Sequence, residues 1–287
     1  MDNKNTLKIV ECPRDAMQGI HQFIPTEAKI RYINSLLKVG FDTLDFGSFV
    51  SAKAIPQLRD TAQVLDQLNL SETQTKLLAI VANKRGAEEA CKHPQIDFLG
   101  YPFSVSETFQ KRNTNATIAQ SRSLVKELLE LSNKHGKELV VYISMGFGNP
   151  YGEEWNVTIV EEFTHKLAEM GVKIVSLSDT IGTSNPESIS YLFSTLIPAL
   201  PQIEFGAHLH TTPQDWKPKV LSAYQNGCRR FDGAIKGLGG CPMAADDLVG
   251  NMPTEKLLSF AAEHKLDTGI NNLAFESAYN KALQTFP

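Results

Sequence analysis

No run of about 18 apolar residues occurs in the chain, so the sequence offers no helix that would span a membrane. Cysteine is scarce. The four residues, Cys12, Cys91, Cys228 and Cys241, stand far apart and form no C-x-x-C pair. That spacing argues against a disulfide framework or a cysteine-ligated zinc site and suits a reducing compartment. Positive charge is not in excess: 28 Lys and Arg face 32 Asp and Glu, for a net charge of −4. A basic footprint for nucleic acid is therefore missing. There is no low-complexity tract, linker or composition shift to mark a second domain, so residues 1–287 are expected to form one catalytic domain. The segment MDNKNTLKIVE has neither a signal-peptide apolar region nor an Arg-rich transit pattern, and LQTFP carries no recognised address. A cytoplasmic location is expected.

What is present is ordinary globular composition, 42% hydrophobic and 21% charged, with a strict alternation of strand-like and helix-like segments. β-prone runs fall at 7–11, 41–46, 76–82, 96–101, 138–144, 174–178, 203–208 and 230–235. Helical patterns stand between them. Thr26 is placed to cap the first, after a loop, and Gly40 to close it. Pro56 opens another. Further helices are expected over 117–135, 156–170 and 214–226, and after Asn185-Pro186. Thr254 and Asn272 begin closing helices. Alternating strand and helix implies parallel strands with right-handed crossovers. Eight such units imply an α/β fold, a closed (β/α)8 TIM barrel with extra C-terminal helices.

A barrel of this kind carries its chemistry at the C-terminal ends of its strands. Arg14 and Asp15 follow strand one, and Asp45 and Ser48 end strand two. Ser144 ends strand five, Asp179 strand six, and His208 and His210 strand seven. Residues two apart on a strand share a face, so both imidazoles can reach one metal ion, to which Asp15 would add a carboxylate. Strand eight leads into Gly237-Leu238-Gly239-Gly240, which presents Cys241 and then Asn251. Plainer roles exist for each. Cys241 is by itself a small hydrophobe, Asp179 is placed to cap the helix near Asn185, and Asp45 and Ser48 are placed to order the rim.

The segments IVECPRDAMQ, GSFVSAKAIPQ, SETFQKRNTNATI, YISMGFGNPYGE, SLSDTIG, AHLH, GLGGCP and GNMPTE together resemble the 3-hydroxy-3-methylglutaryl-CoA lyase family of metal-dependent TIM barrels. The resemblance covers nearly the whole chain. It implies cleavage of 3-hydroxy-3-methylglutaryl-CoA to acetyl-CoA and acetoacetate by a retro-Claisen reaction. It also implies Asp15, His208, His210 and Asn251 as ligands of Mg²⁺ or Mn²⁺, consistent with mixed oxygen and nitrogen donors. Two histidines and a carboxylate also suit non-haem Fe(II), and zinc remains open. Arg14 would stabilise the thioester enolate, and Cys241 would be the acid. The base is left among His208, Asp15 and Glu255, with Asp179 a further catalytic candidate. Gln18, Asp45, Ser48 and Ser144 would contact an acyl-CoA substrate, and a homodimer is implied.

The chain departs from the family pattern at Ala16, Gly19 and Ile20, at residues 211–214 and at Asp45, where glutamate is usual. These changes touch the pocket and spare the ligands. A related 3-hydroxyacyl-CoA or a 2-oxo acid is the alternative substrate, the latter for a condensing enzyme of the same group. The absence of a C-terminal regulatory domain and the Thr211-Thr212 pair disfavour such an enzyme. A degenerate barrel kept as a scaffold would have no need of the ligand set.

Overall fold

The computed structural model describes residues 5–240 and 249–286. Eight strands close into a barrel in chain order, every neighbouring pair parallel. They are β1 (Lys8–Glu11), β2 (Thr43–Ser48), β3 (Lys76–Ile80), β4 (Ile96–Ser104), β5 (Glu138–Ser144), β6 (Ile174–Ser178), β7 (Glu204–His208) and β8 (Arg230–Gly233). β1 pairs with both β2 and β8, which closes the ring. The helices are α1 (Pro13–Gln18), α2 (Thr26–Leu37), α3 (Thr61–Leu65), α4 (Lys84–Cys91), α5 (Glu107–Thr114), α6 (Ile118–Lys134), α7 (Val157–Glu169), α8 (Pro186–Ala199), α9 (Trp216–Gln225), α10 (Thr254–Glu263) and α11 (Asn272–Thr285). α11 comes after the eight strand–helix units and lies against α2.

The apolar core has two main parts, beside a small third cluster of Phe109 and Met145. The larger fills the space between barrel and helices. The smaller lies inside the barrel, where Leu78, Ile80, Phe98, Val140, Tyr142 and Ile174 pack together from β3 to β6. On the other side the lining turns polar. Tyr142 is level with Ser176, Ser176 with Gly206, and Gly206 with Arg230. One half of the barrel is a hydrophobic plug and the other supports charge below the mouth.

Two local expectations are corrected. The segment after β1 is a short helix, α1, where a loop was expected. Pro13 at its first position has a suitable fixed φ and no N–H to leave unpaired, but six residues are too few to show an apolar period. Thr26 does not cap α2, whose N-cap is Pro25. Its hydroxyl donates instead to Asp60 Oδ2 at 2.7 Å, a partner remote in sequence. The caps at Thr117, Asn156 and Asn185 are present, each side chain accepting a backbone N–H of the first turn.

Candidate active site

α1 sets the first wall of the site. Cys12 N donates to Gly233 O at 2.8 Å, so the helix starts hard against β8. Arg14 and Gln18, one turn apart, share a face. Arg14 Nε and Nη2 donate to Asp45 Oδ2 at 3.0 and 2.6 Å, and Nη1 donates to Asp15 Oδ1 at 2.7 Å and Gln18 Oε1 at 2.8 Å. Gln18 Nε2 donates to the same Asp15 oxygen at 2.6 Å. Asp15 Oδ1 is thereby occupied, and Oδ2 turns to the histidines. Burial pushes Asp45 up to about 6, against the pull of Arg14. Burial works against the Arg14 charge too, yet Asp45 and Asp15 hold its pKa above the ordinary arginine value.

β7 supplies the second wall. His208 Nδ1 lies 3.0 Å from Asp232 Oδ2 on β8, which fixes the ring and leaves Nε2 facing Asp15 Oδ2 at 4.0 Å. Tyr142 meets the His208 ring edge-on, and the two histidine rings are 5.5 Å apart. The His210 backbone is held from behind by Lys219 on α9. This buried lysine donates to His210 O at 2.9 Å, to Gly182 O and to Asp179 Oδ2. Burial, reinforced by the positive potential of His208, pushes His210 down to about 4. It is therefore neutral near pH 7, with a lone pair to give. Burial also opposes charge on His208, but the bond to Asp232 outweighs it and raises the pKa. For Asp15, burial raises and Arg14, His208 and Asn251 lower, with a net lowering.

The donor atoms of Asp15, His208 and His210 lie within 4.8 Å of one another, a spacing that one cation can bridge. Cys12, His208 and Asp232 form a second such group. It fits a metal less well: burial keeps Cys12 a thiol, its pKa well raised, and His208 Nδ1 is already engaged. One carboxylate oxygen and two imidazole nitrogens, with room for more oxygen, suit an octahedral ion such as Mg²⁺ or Mn²⁺. Asn251 adjoins the group, and its Nδ2 donates to Asp15 Oδ2 at 2.7 Å and Leu238 O at 2.8 Å. It would join the ligand set only by turning its amide oxygen inward.

These walls line an open cavity of about 120 Å³ at the C-terminal end of the barrel. Arg14, Asp15, Gln18, Ser144, His208 and His210 line it on the polar side, and Val50, Ile80, Pro102 and Phe109 on the apolar side. Other expected residues stand elsewhere. Asp45 lies behind Arg14. Ser48 Oγ donates to Ile80 O. Asp179 is fully buried and accepts from Ser184 N and Oγ and from Lys219 Nζ, so it ties loops together. Glu255 accepts from Lys236 N at 3.1 Å and does not line the cavity. Cys241 lies outside the described residues. Sequence reading passed over Asp232, Lys219 and Tyr142. A charged residue amid the short strand RRFDG was the one signal for Asp232.

A family model described as HMGL-like matches residues 7–280. The hydroxymethylglutaryl-CoA lyase of Bacillus subtilis is 32% identical over 267 residues, covering 93% of this chain and 88% of that protein. The mitochondrial hydroxymethylglutaryl-CoA lyase of Bos taurus is 32% identical over 92% of this chain and 81% of its own. Among solved structures, an HMG-CoA lyase from Acinetobacter baumannii, in complex with coenzyme A and 3-methylmalate, superposes with a TM-score of 0.89 at 30% identity, covering 97% of this chain and 90% of that one.

Proposed function

The chain belongs to the HMGL-like family, and on that premise we propose that it cleaves 3-hydroxy-3-methylglutaryl-CoA to acetyl-CoA and acetoacetate with Mg²⁺ or Mn²⁺. One observation carries the reading: the Asp15, His208 and His210 donors open beside Arg14 into a cavity at the barrel mouth. Asp15, His208 and His210 would hold the cation, and Asn251 would complete the set once its amide oxygen turned inward. When bound, the cation supplies Lewis-acid chemistry that draws charge from the substrate's hydroxyl and carbonyl oxygens and offsets the weak basicity of a depressed carboxylate.

The remaining work falls to side chains. The base that takes the C3 hydroxyl proton is His208, or Asp15 acting through a water. The hydroxyl oxygen's electrons form the new ketone, and the C2–C3 pair leaves as the thioester enolate. Four of the five guanidinium N–H groups of Arg14 are engaged by Asp45, Asp15 and Gln18, leaving one on Nη2 for the enolate oxygen. Asp45 holds that group in place. Cys241 supplies the proton that makes the acetyl methyl. Gln18 and Ser144 contact the acyl group. Ser48, Asp179 and Glu255 support the rim.

We propose a cytoplasmic homodimer of single-domain barrels on the family resemblance, whose members include both cytoplasmic and mitochondrial forms. No helix among the described residues is long and apolar enough to cross a membrane. The test is turnover of 3-hydroxy-3-methylglutaryl-CoA with Mg²⁺ or Mn²⁺, followed as acetoacetate. Tight metal binding without product would redirect the reading to a related acyl-CoA.

A further inference from the structure

Glu11 is fully buried at the end of β1 and takes no part in the chemistry above. Its two oxygens go to two different places. Oε1 accepts from Ile235 N at 2.9 Å, and Oε2 accepts from Thr254 Oγ1 at 2.5 Å. Those partners stand on opposite flanks of the glycine-rich segment, one before Gly237 and one after Asn251. The flanks are also joined directly. Ala234 N donates to Met252 O at 2.9 Å, Thr254 N to Ala234 O at 3.1 Å, and Asn251 Nδ2 to Leu238 O at 2.8 Å. Glu255 adds a second carboxylate on the outer side, accepting from Lys236 N.

A buried carboxyl is costly unless its bonds are met, and here both oxygens bind the two chains that carry Asn251. We infer that Glu11 is a positioning residue: it pins both flanks of the glycine-rich segment to β1 and so sets Asn251 against Asp15. The inference rests on the proposed reading only where it concerns the cation. The pin itself is a property of the backbone.

The experiment compares wild type with Glu11→Gln, Glu11→Ala and Thr254→Val. Amide hydrogen exchange is followed at Ala234, Ile235, Met252 and Thr254, and Mn²⁺ affinity is followed by electron paramagnetic resonance. Glutamine can keep both links, its oxygen to Ile235 N and its amide to Thr254 Oγ1, so Glu11→Gln should stay within about twofold of wild type in both readouts. Glu11→Ala breaks both links and Thr254→Val breaks one. Exchange at the four amides should rise about tenfold or more in Glu11→Ala and severalfold in Thr254→Val, with β4 and β5 unchanged. Mn²⁺ affinity should fall in the same order. Exchange that rises equally across all strands, or not at all, would overturn the pin. So would an unchanged Mn²⁺ affinity beside loosened flanks. Should Glu11→Ala fail to fold, Thr254→Val decides the question. A wild type that binds no Mn²⁺ would count against the metal reading, while exchange still judges the pin.

Discussion

At the scale of single residues, the site is built from charges that hold one another still. Asp232 is the clearest case. Its bond to His208 Nδ1 fixes which ring nitrogen faces Asp15, and losing the orienting partner of a ligating histidine typically costs about 10- to 100-fold in metal affinity. Asp232→Asn should weaken Mn²⁺ binding about 10- to 100-fold with little loss of secondary structure, as titration calorimetry and circular dichroism would show. The pH response of stability has a definite sign at Glu11. Burial raises its pKa to about 8, against the bonds from Thr254 and Ile235. Its stabilising contribution is fully present below the unfolded carboxylate value of about 4.3 and is lost as pH rises through 8. Urea titrations should show wild type losing up to about 1.4 kcal/mol per pH unit relative to Glu11→Gln between pH 5 and 8. A constant difference would contradict that pKa. The sequence made Arg14, Asp15, His208 and His210 legible because each stands at a strand end in a chemically telling pair. Asp232, Lys219 and Glu11 were not. Each works through a partner 9 to 243 positions away, and apart from the charge of Asp232 within a short strand, nothing local distinguishes such a residue from a solvated polar side chain.

At the scale of elements, the glycine-rich segment joins β8 to the metal group. Gly239 has φ +97°, and a Cβ there would come within 2.6 Å of Asn251 Nδ2 and 2.8 Å of Asp15 O. Both the left-handed backbone and the contact exclude a side chain. Gly239→Ala should therefore displace Asp15 and Asn251 together, lowering kcat/KM at least tenfold and weakening Mn²⁺ binding, while the thermal midpoint shifts by only a few degrees. Steady-state kinetics and scanning calorimetry check both halves. The strands at 138–144 and 174–178 were read to the residue, since long apolar runs bounded by glycine or a charge leave little choice. β2 begins at Thr43, two residues later than the apolar pattern from Phe41 suggests, although Asp42 already bonds to the backbone of Ile9 and Lys76. α1 was missed because six residues beginning with proline show no period. Yet α1 carries three of the site's side chains.

At the scale of the whole molecule, the barrel interior divides its labour. The plug around Phe98 and Val140 gives rigidity, and the opposite side is polar, with the Arg230 charge held at the bottom of the barrel by Asp42 and Glu204. Phe98→Ala should cost about 3–5 kcal/mol, the range for emptying a buried aromatic site, measured by urea unfolding. The cation contacts of Lys76 and Arg230 with its ring would be lost as well. Fold class and strand order were open to sequence reading because alternation of strand and helix admits few topologies. The split between an apolar and a polar half was not, because it arises only when eight strands close.

The most direct test of the account is acetoacetate release from 3-hydroxy-3-methylglutaryl-CoA by the purified protein. It is run with and without Mg²⁺ or Mn²⁺, beside His208→Ala and Cys241→Ala. The account predicts product that requires the cation and that falls by orders of magnitude in both variants. Turnover that survives removal of the cation, or that is unchanged in His208→Ala, would contradict it.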